Sequence, residues 1–160
     1  MIFRTIKLEE TEQAIEIEQI CFPPNEACSP QSMRARIKAA RELFLVAVDE
    51  NTGLIAGFLN GIATDEPSFR DDFFTDSSLH QPAGKNIMLL GLDVLPAYRG
   101  KGLAKEIVRQ YAERERNREK LILTCLEEKV PMYLHMGFID NGIADSAWGG
   151  EEWHEMEMRP

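Results

Sequence analysis

The chain has 160 residues, a formal net charge of −9, mean hydropathy −0.29 and 44% hydrophobic residues, a size at which one domain buries about 70% of its unfolded surface around a single core. No apolar run approaches the ~18 residues a bilayer span requires, and the acidic balance argues against broad nucleic-acid binding, which rests on basic side chains neutralising phosphates. Cys21, Cys28 and Cys125 form neither a Cys-x-x-Cys pair nor an even set, and His80, His135 and His154 are scattered, so neither a disulfide framework nor a metal site is expected. Met1 to Leu8 lacks the basic region, long apolar core and cleavage site of a secretory leader, which gives a cytoplasmic location as the expectation. The negative charge mildly favours cationic substrates such as amines.

From Ile2 to Leu8 apolar and polar residues alternate, which predicts a first strand. Between Glu9 and Phe22, Ala14, Ile15, Ile17, Ile20 and Cys21 recur at helical spacing, and Pro23-Pro24 end the helix. Asn25 to Pro30 reads as a loop whose Ser29 caps a second helix, with Pro30 in the first turn and Met33, Ile37 and Ala40 on its apolar side. Leu43 to Asp49 is a strand, Glu50 to Gly53 a turn, and Leu54 to Ala63 the returning strand of a hairpin. Gly57 and Gly61 in that second strand mark a bend or a close backbone approach. Thr64 to Lys85 is polar and interrupted by Pro67, Pro82 and Gly84. Loops of that length are uncommon in compact domains, so a short helix around Ser68 to Thr75 is expected, in a segment that either covers a substrate site or is a tolerated surface insertion.

Asn86 to Pro96 is an almost unbroken apolar run, which suits a strand buried on both faces. Gly100-Lys101-Gly102 follows, and then Leu103, Ile107, Val108 and Tyr111 fall at helical spacing in a tract ending near Arg118. In such a strand, glycine turn and helix, the backbone can pass closely over a ligand. The helix opens on unpaired N–H groups and a positive dipole end, which favours a phosphate. Neither Gly-x-Gly-x-x-Gly nor the Gly-Lys-Ser/Thr close of a P-loop is present. Lys120 to Cys125 is a fifth strand, Pro131 to Met136 a short helix stopped by Gly137, and Phe138 to Ile143 and Trp153 to Met158 the last strands. Trp148 and Trp153 suit either an aromatic amine pocket or core packing. No repeat or linker divides the chain, so residues 1–160 form a single α/β (α+β) domain with a partly antiparallel sheet. If a sheet edge is open, the last strand is the candidate for pairing across a homodimer.

Arg99, Gly102 and Ala104 match an Arg/Gln-x-x-Gly-x-Gly/Ala signature and follow Val94-Leu95-Pro96-Ala97-Tyr98. This stretch resembles the GNAT superfamily of N-acetyltransferases, and the order of elements resembles that family over the whole chain. The resemblance implies the GNAT fold, a central mixed sheet of six to seven strands flanked by about four helices. It implies acetyl-CoA as cosubstrate, its pyrophosphate cradled by the backbone of Gly100, Lys101, Gly102, Leu103, Ala104 and Lys105, with added charge from Arg99, Lys101 and Lys105. The strand before the turn would splay from its neighbour, so that Leu92, Asp93 and Val94 hold the pantetheine arm and supply an N–H to the oxyanion.

Three stretches, Ala14 to Phe22, Leu92 to Arg99 and Cys125 to Tyr133, resemble the arylalkylamine (serotonin) N-acetyltransferase group more narrowly. Val130-Pro131-x-Tyr133 followed by Gly137-Phe138 implies that Tyr133 faces the CoA sulfur. A phenol with a pKa of about 10 stays protonated at neutral pH and can pass its proton to a thiolate, which makes Tyr133 the candidate general acid. The alternative is a helix tyrosine that fills the core with its hydroxyl turned to solvent. That group carries two histidines where this chain has Met88 and Leu90, so the base falls to water, to a carboxylate such as Asp65, Glu66 or Glu127, or to Glu26 or His80 in segments able to approach the amine. Asp93 has the opposite strand parity from Met88 and Leu90, so it is expected to point away from their face as a structural hydrogen-bonding residue. The function implied is acetyl transfer to a small primary amine. The alternatives are a protein lysine or N-terminal acceptor and a non-catalytic acyl-CoA-binding module.

Overall fold

The apolar run after Lys85 becomes the fourth strand of a seven-stranded sheet in a computed structural model describing residues 1–160. Strands β1 (Ile2–Thr5), β2 (Phe44–Val48), β3 (Ile55–Thr64), β4 (Asn86–Val94), β5 (Lys120–Cys125), β6 (Ile139–Ile143) and β7 (His154–Met158) lie in the order β1-β2-β3-β4-β5-β7-β6. Helices α1 (Thr11–Cys21), α2 (Pro30–Ala40), α3 (Asp72–Thr75), α4 (Leu103–Arg114) and α5 (Val130–His135) pack around it. Neighbours from β1 to β4 are antiparallel, whereas β4 and β5 are parallel and joined by a crossover through α4. The expected mixed α/β sheet is therefore present with seven strands. α3, one turn long within the polar segment after Thr64, makes the helices five.

The buried residues explain why each element sits where it does. Every residue of β2 and β3 is buried, because helices cover both faces of the sheet there. On one face α4 lays Leu103, Ile107, Val108 and Tyr111 against Leu59, Ile87, Leu89 and Leu121. On the other, α1 and α2 bring Ile15, Ile17, Met33 and Ile37 onto Val46 and Phe58. Each fully buried side chain of this kind contributes about 1.5–3 kcal/mol relative to its exposed state. The cap foreseen for α2 is made, with Ser29 Oγ accepting the Ser32 N–H at 3.1 Å. Gly57 marks a close approach: a Cβ there would stand 2.5 Å from the Asp93 carbonyl oxygen.

Two irregularities shape the centre of the sheet. The first is a bulge, since Asn60 pairs with Gly91 but Gly61 pairs with Leu89, leaving Leu90 as an extra residue in β4. One added residue reverses the alternation beyond it. Met88 stands opposite Ile62 and Asp93 opposite Phe58, and Phe58 and Ile62 share a face of β3, so Asp93 points to the same face as Met88. The expectation that Asp93 points away from that face is thus corrected, because simple parity holds only in an unbulged strand.

The second is a splay. β4 and β5 pair only through Asn86–Lys120, Ile87–Leu121 and Met88–Ile122, after which β4 has no partner on that side, while β5 stays paired with β7 as far as Cys125. The last strand, β7, lies between β5 and β6. It has no open edge for pairing across a dimer, and the sheet's edges are β1 and β6. No helix is long and apolar enough to cross a membrane.

Candidate active site

Where β4 and β5 part, a cavity of ≈ 860 Å³ opens between the two strands, within the size range of ligand sites. One end is the glycine turn. Gly100 (φ 76°) and Gly102 (φ 80°) hold left-handed backbone, which a residue with a Cβ adopts only at a cost. The first α-helical hydrogen bond of α4 runs from the Glu106 N–H to the Gly102 oxygen at 3.1 Å. The N–H groups of Leu103, Ala104 and Lys105 ahead of it lack helical partners, at the positive end of a twelve-residue helix. Arg99, Gly100, Gly102, Leu103, Ala104 and Lys105 all line the cavity, as do Leu92 and Val94. The side chains of Lys101 and Asp93 do not. Arg99 Nε donates to the Val94 carbonyl at 2.9 Å, tying the turn back to the strand.

Tyr133 lines the cavity as well. Its ring meets Phe138 edge-on, with centroids 5.5 Å apart. Burial pushes the phenol well above its ordinary value, with smaller contributions from Cys125 and Asp93, so it keeps its proton at neutral pH. The other two tyrosines commit their hydroxyls elsewhere, Tyr98 to Asp49 and Tyr111 to the Leu43 carbonyl.

The far end is aromatic and acidic. Trp148 packs its ring against Phe74, tilted by 35° with centroids 4.6 Å apart, and donates Nε1–H to the Glu26 carbonyl at 2.9 Å, and Trp153 Nε1 donates to the Trp148 carbonyl at 2.8 Å. Both tryptophans, Phe74 and Glu26 line the cavity. Burial, and then the neighbouring Glu151, hold the Glu26 carboxyl above its usual value. Asp71 accepts from Ser146 Oγ at 2.5 Å and from the Ala147 N–H at 3.1 Å, which fastens the segment bearing Phe74 to the loop bearing Trp148. The polar segment after Thr64 therefore forms part of the cavity wall.

A sequence model of the acetyltransferase (GNAT) family matches residues 11–138. The chain belongs to this family. No curated protein matches it. Among solved structures it is similar to the GphF GNAT-like decarboxylase in complex with isobutyryl-CoA, at 17% identity over 99% of each chain with a TM-score of 0.85. It is also similar to the loading GNATL domain of CurA from Lyngbya majuscula, at 15% identity over 99% of this chain and 96% of that one, TM-score 0.84. A third is yncA from Salmonella typhimurium with acetyl-CoA, at 17% identity over 99% of this chain and 93% of that one, TM-score 0.66. At these identities the likeness is one of fold.

Within this GNAT fold the candidate bases sort by place. Asp65 accepts the Lys85 N–H, and Glu66 pairs with Arg70. His80 accepts the Ala63 N–H at Nδ1 and places Nε2 on Glu42. None of these, nor Glu127, lines the cavity, whereas Glu26 does. Met88 and Leu90 pack with Phe69 and Phe73 in an apolar cluster. No group of three or more histidine, cysteine or acidic side chains is placed to hold a metal ion.

One polar group was not singled out from the sequence. Glu18 is 4% exposed and lines the cavity, with Oε2 accepting the Cys28 N–H at 3.0 Å and Oε1 without a partner. Asp93 beside it is 0% exposed, and neither of its carboxyl oxygens has a partner. Burial, followed by the adjacent Glu18, raises the Asp93 carboxyl well above its ordinary value. Glu18 carried a legible signal. It lies four residues after Ala14 and three before Cys21, a charge set inside the apolar stripe of α1.

Proposed function

We propose that the chain transfers an acetyl group from acetyl-CoA to a small primary amine with an aromatic or otherwise apolar body, by direct attack in a ternary complex. The carrying observation is that one cavity joins an anion cradle, an unpaired strand edge, a phenol and an aromatic end with carboxylates. The cradle and the cavity volume fit the cosubstrate. When bound, acetyl-CoA supplies an electrophilic thioester carbonyl and a thiolate leaving group.

The chain's own groups divide the remaining work. Backbone N–H groups of the turn and of the first residues of α4 hold the diphosphate. Leu92 and Val94 offer main-chain groups to an extended arm, because β4 has no partner strand on the β5 side past Met88. An N–H from this edge aimed at the developing oxyanion is worth about 3–4 kcal/mol, and holding both reactants together contributes roughly 7–11 kcal/mol. Tyr133 protonates the departing sulfur. At the far end Phe74, Trp148 and Trp153 offer ring faces to an apolar body, and Glu26 attracts the ammonium. A carboxylate-bearing acyl group, which a decarboxylase must hold, would meet Glu18 and Glu26 in the same cavity and is disfavoured by their charge.

The test is CoA release by the full chain with acetyl-CoA and 2-phenylethylamine, a lysine-containing peptide, or no acceptor. Release with the amine well above the other two arms is expected. Preferential release with the peptide, or tight acetyl-CoA binding without release in any arm, would overturn the small-amine reading.

A further inference from the structure

Four polar side chains interrupt apolar surfaces on the α1 and α2 side of the sheet, and the fold gathers them around the β4 bulge. Glu18 comes from α1, Arg36 from α2, Asn60 from β3 and Asp93 from β4, and each is at most 4% exposed. Gly91 sits among them. A Cβ there would stand 3.2 Å from Asp93 Oδ1, 3.3 Å from Asn60 Nδ2 and 3.6 Å from Glu18 Oε1. Gly91 and Glu18 both line the cavity. The absent side chain thus leaves a slot at the bulge, in the part of β4 released from β5, behind which Glu18 Oε1 lies buried beside the cavity lining.

Charge balance fixes how many protons this group holds. Arg36 is buried, yet Nη1 bonds Asn60 Oδ1 at 3.1 Å and Nη2 bonds the Phe74 carbonyl at 2.9 Å, both neutral acceptors. A buried cation with neutral partners calls for one negative charge nearby. Two ionised carboxylates in contact oppose each other, and the one hydrogen bond that either of Glu18 and Asp93 accepts comes from the Cys28 N–H. A proton on Asp93, which burial and the adjacent Glu18 favour, leaves a single negative charge and meets both demands.

We propose that Glu18 and Asp93 act as a carboxyl pair that takes the proton from the acceptor's ammonium group, the step for which Met88 and Leu90 have no capacity. This rests on the acetyl-transfer reading above. Glu18 Oε1 receives the proton, so the pair then holds two. The freed nitrogen lone pair forms the C–N bond at the thioester carbonyl, the C–S bond breaks, and the sulfur takes the Tyr133 proton. The second nitrogen proton returns to Tyr133, and the pair's extra proton leaves to water. The other titratable groups facing the pair are Cys21 from α1, Cys28 from the loop before α2, Arg36 from α2 and Tyr133 from α5. Burial raises both thiols, Cys28 to about 11, and the phenol is raised as well, so all three are neutral near pH 7, and the positive charge comes from Arg36 and from Arg99, which lies against Cys21.

The test compares kcat/KM for two acceptors of one shape. These are 2-phenylethylamine, a cation at neutral pH, and 2,2-difluoro-2-phenylethylamine, whose far less basic nitrogen is largely unprotonated at slightly alkaline pH. Glu18→Gln is expected to slow the first roughly 100-fold, the span of a lost general base, and the second by much less. Asp93→Asn removes the like charge beside Glu18 and should shift the acid limb of the pH profile to lower pH. It also gives a second reading should Glu18→Gln fail to fold. Independently of turnover, infrared spectra of the ligand-free chain at neutral pH should show a protonated-carboxyl band that is lost in both variants. Equal slowing of the two amines, no slowing of either, or a wild-type spectrum without that band would overturn the pair's role. A wild-type chain that binds acetyl-CoA but acetylates neither amine overturns the small-amine reading and the inference with it, and is told apart by the failure of the wild type itself.

Discussion

Replacing Asp93 with asparagine should stabilise the protein while impairing it as a catalyst. Asp93 is 0% exposed and both carboxyl oxygens are unpartnered, as is Oε1 of the adjacent Glu18. The protonated pair has one O–H donor for three otherwise unpartnered oxygens, whereas the amide introduced by Asp93→Asn replaces one of those oxygens with two N–H donors, and relieving an unsatisfied buried polar group is worth about 1–3 kcal/mol. A second gain depends on pH. The folded-state pKa of Asp93 is raised above its ordinary 3.8, so its contribution to stability is fully present below that value. It is lost as pH rises toward the folded pKa, because folding must then take up a proton. The loss runs at about 1.4 kcal/mol per pH unit across that window, and the asparagine variant escapes it. At about 2–4 °C per kcal/mol for a chain of this size, the first gain alone raises Tm by about 2–12 °C. Thermal unfolding followed by circular dichroism at about pH 4 and about pH 7 reads both gains, and the advantage of the variant should widen at the higher pH. A variant less stable than wild type at neutral pH, or a Tm difference independent of pH, would refute the reasoning.

Other substitutions separate the parts of the site. Tyr133→Phe should lower kcat roughly 100-fold with acetyl-CoA affinity by calorimetry unchanged, and full turnover would remove Tyr133 from the chemistry. Trp148→Ala deletes the ring packed against Phe74 and the bond to the Glu26 carbonyl; it should raise KM for 2-phenylethylamine and leave that for acetyl-CoA in place. Gly102→Ala meets no atom within 4 Å but must hold φ 80°. A strain of about 1–2 kcal/mol should appear as a lower Tm together with acetyl-CoA binding weakened up to about tenfold. Tyr111→Phe leaves the Leu43 carbonyl without its hydroxyl donor; a loss of about 0.5–1.5 kcal/mol in stability with unaltered kcat is expected.

Much of the fold was legible because its signals are local. The apolar run from Asn86, the glycine turn and the spacing of Leu103, Ile107, Val108 and Tyr111 specify strand, cradle and helix without reference to distant residues. Ser29 before Pro30 specified a cap that forms. The splay of β4 from β5 has no such signal. It is a relation between two segments about thirty residues apart, each of which reads as an ordinary strand, and family resemblance alone implied it.

Asp93 shows why the base escaped a reading by strand parity. Alternation is a reliable rule only while each residue faces one partner, and Leu90 is the residue that faces none. An apolar leucine in an apolar run gives no sign of a bulge, so counting from Met88 turned Asp93 to the wrong face. Composition held the better clue. Glu18, Arg36 and Asn60 each break the apolar pattern of an element the core demands to be apolar there, Arg36 lying three residues after Met33 and four before Ala40. A single charge in an apolar stripe is costly to bury. Four such polar residues on four different elements lower that cost only if the fold brings them together, so their joint presence in the sequence was itself a statement about tertiary contact.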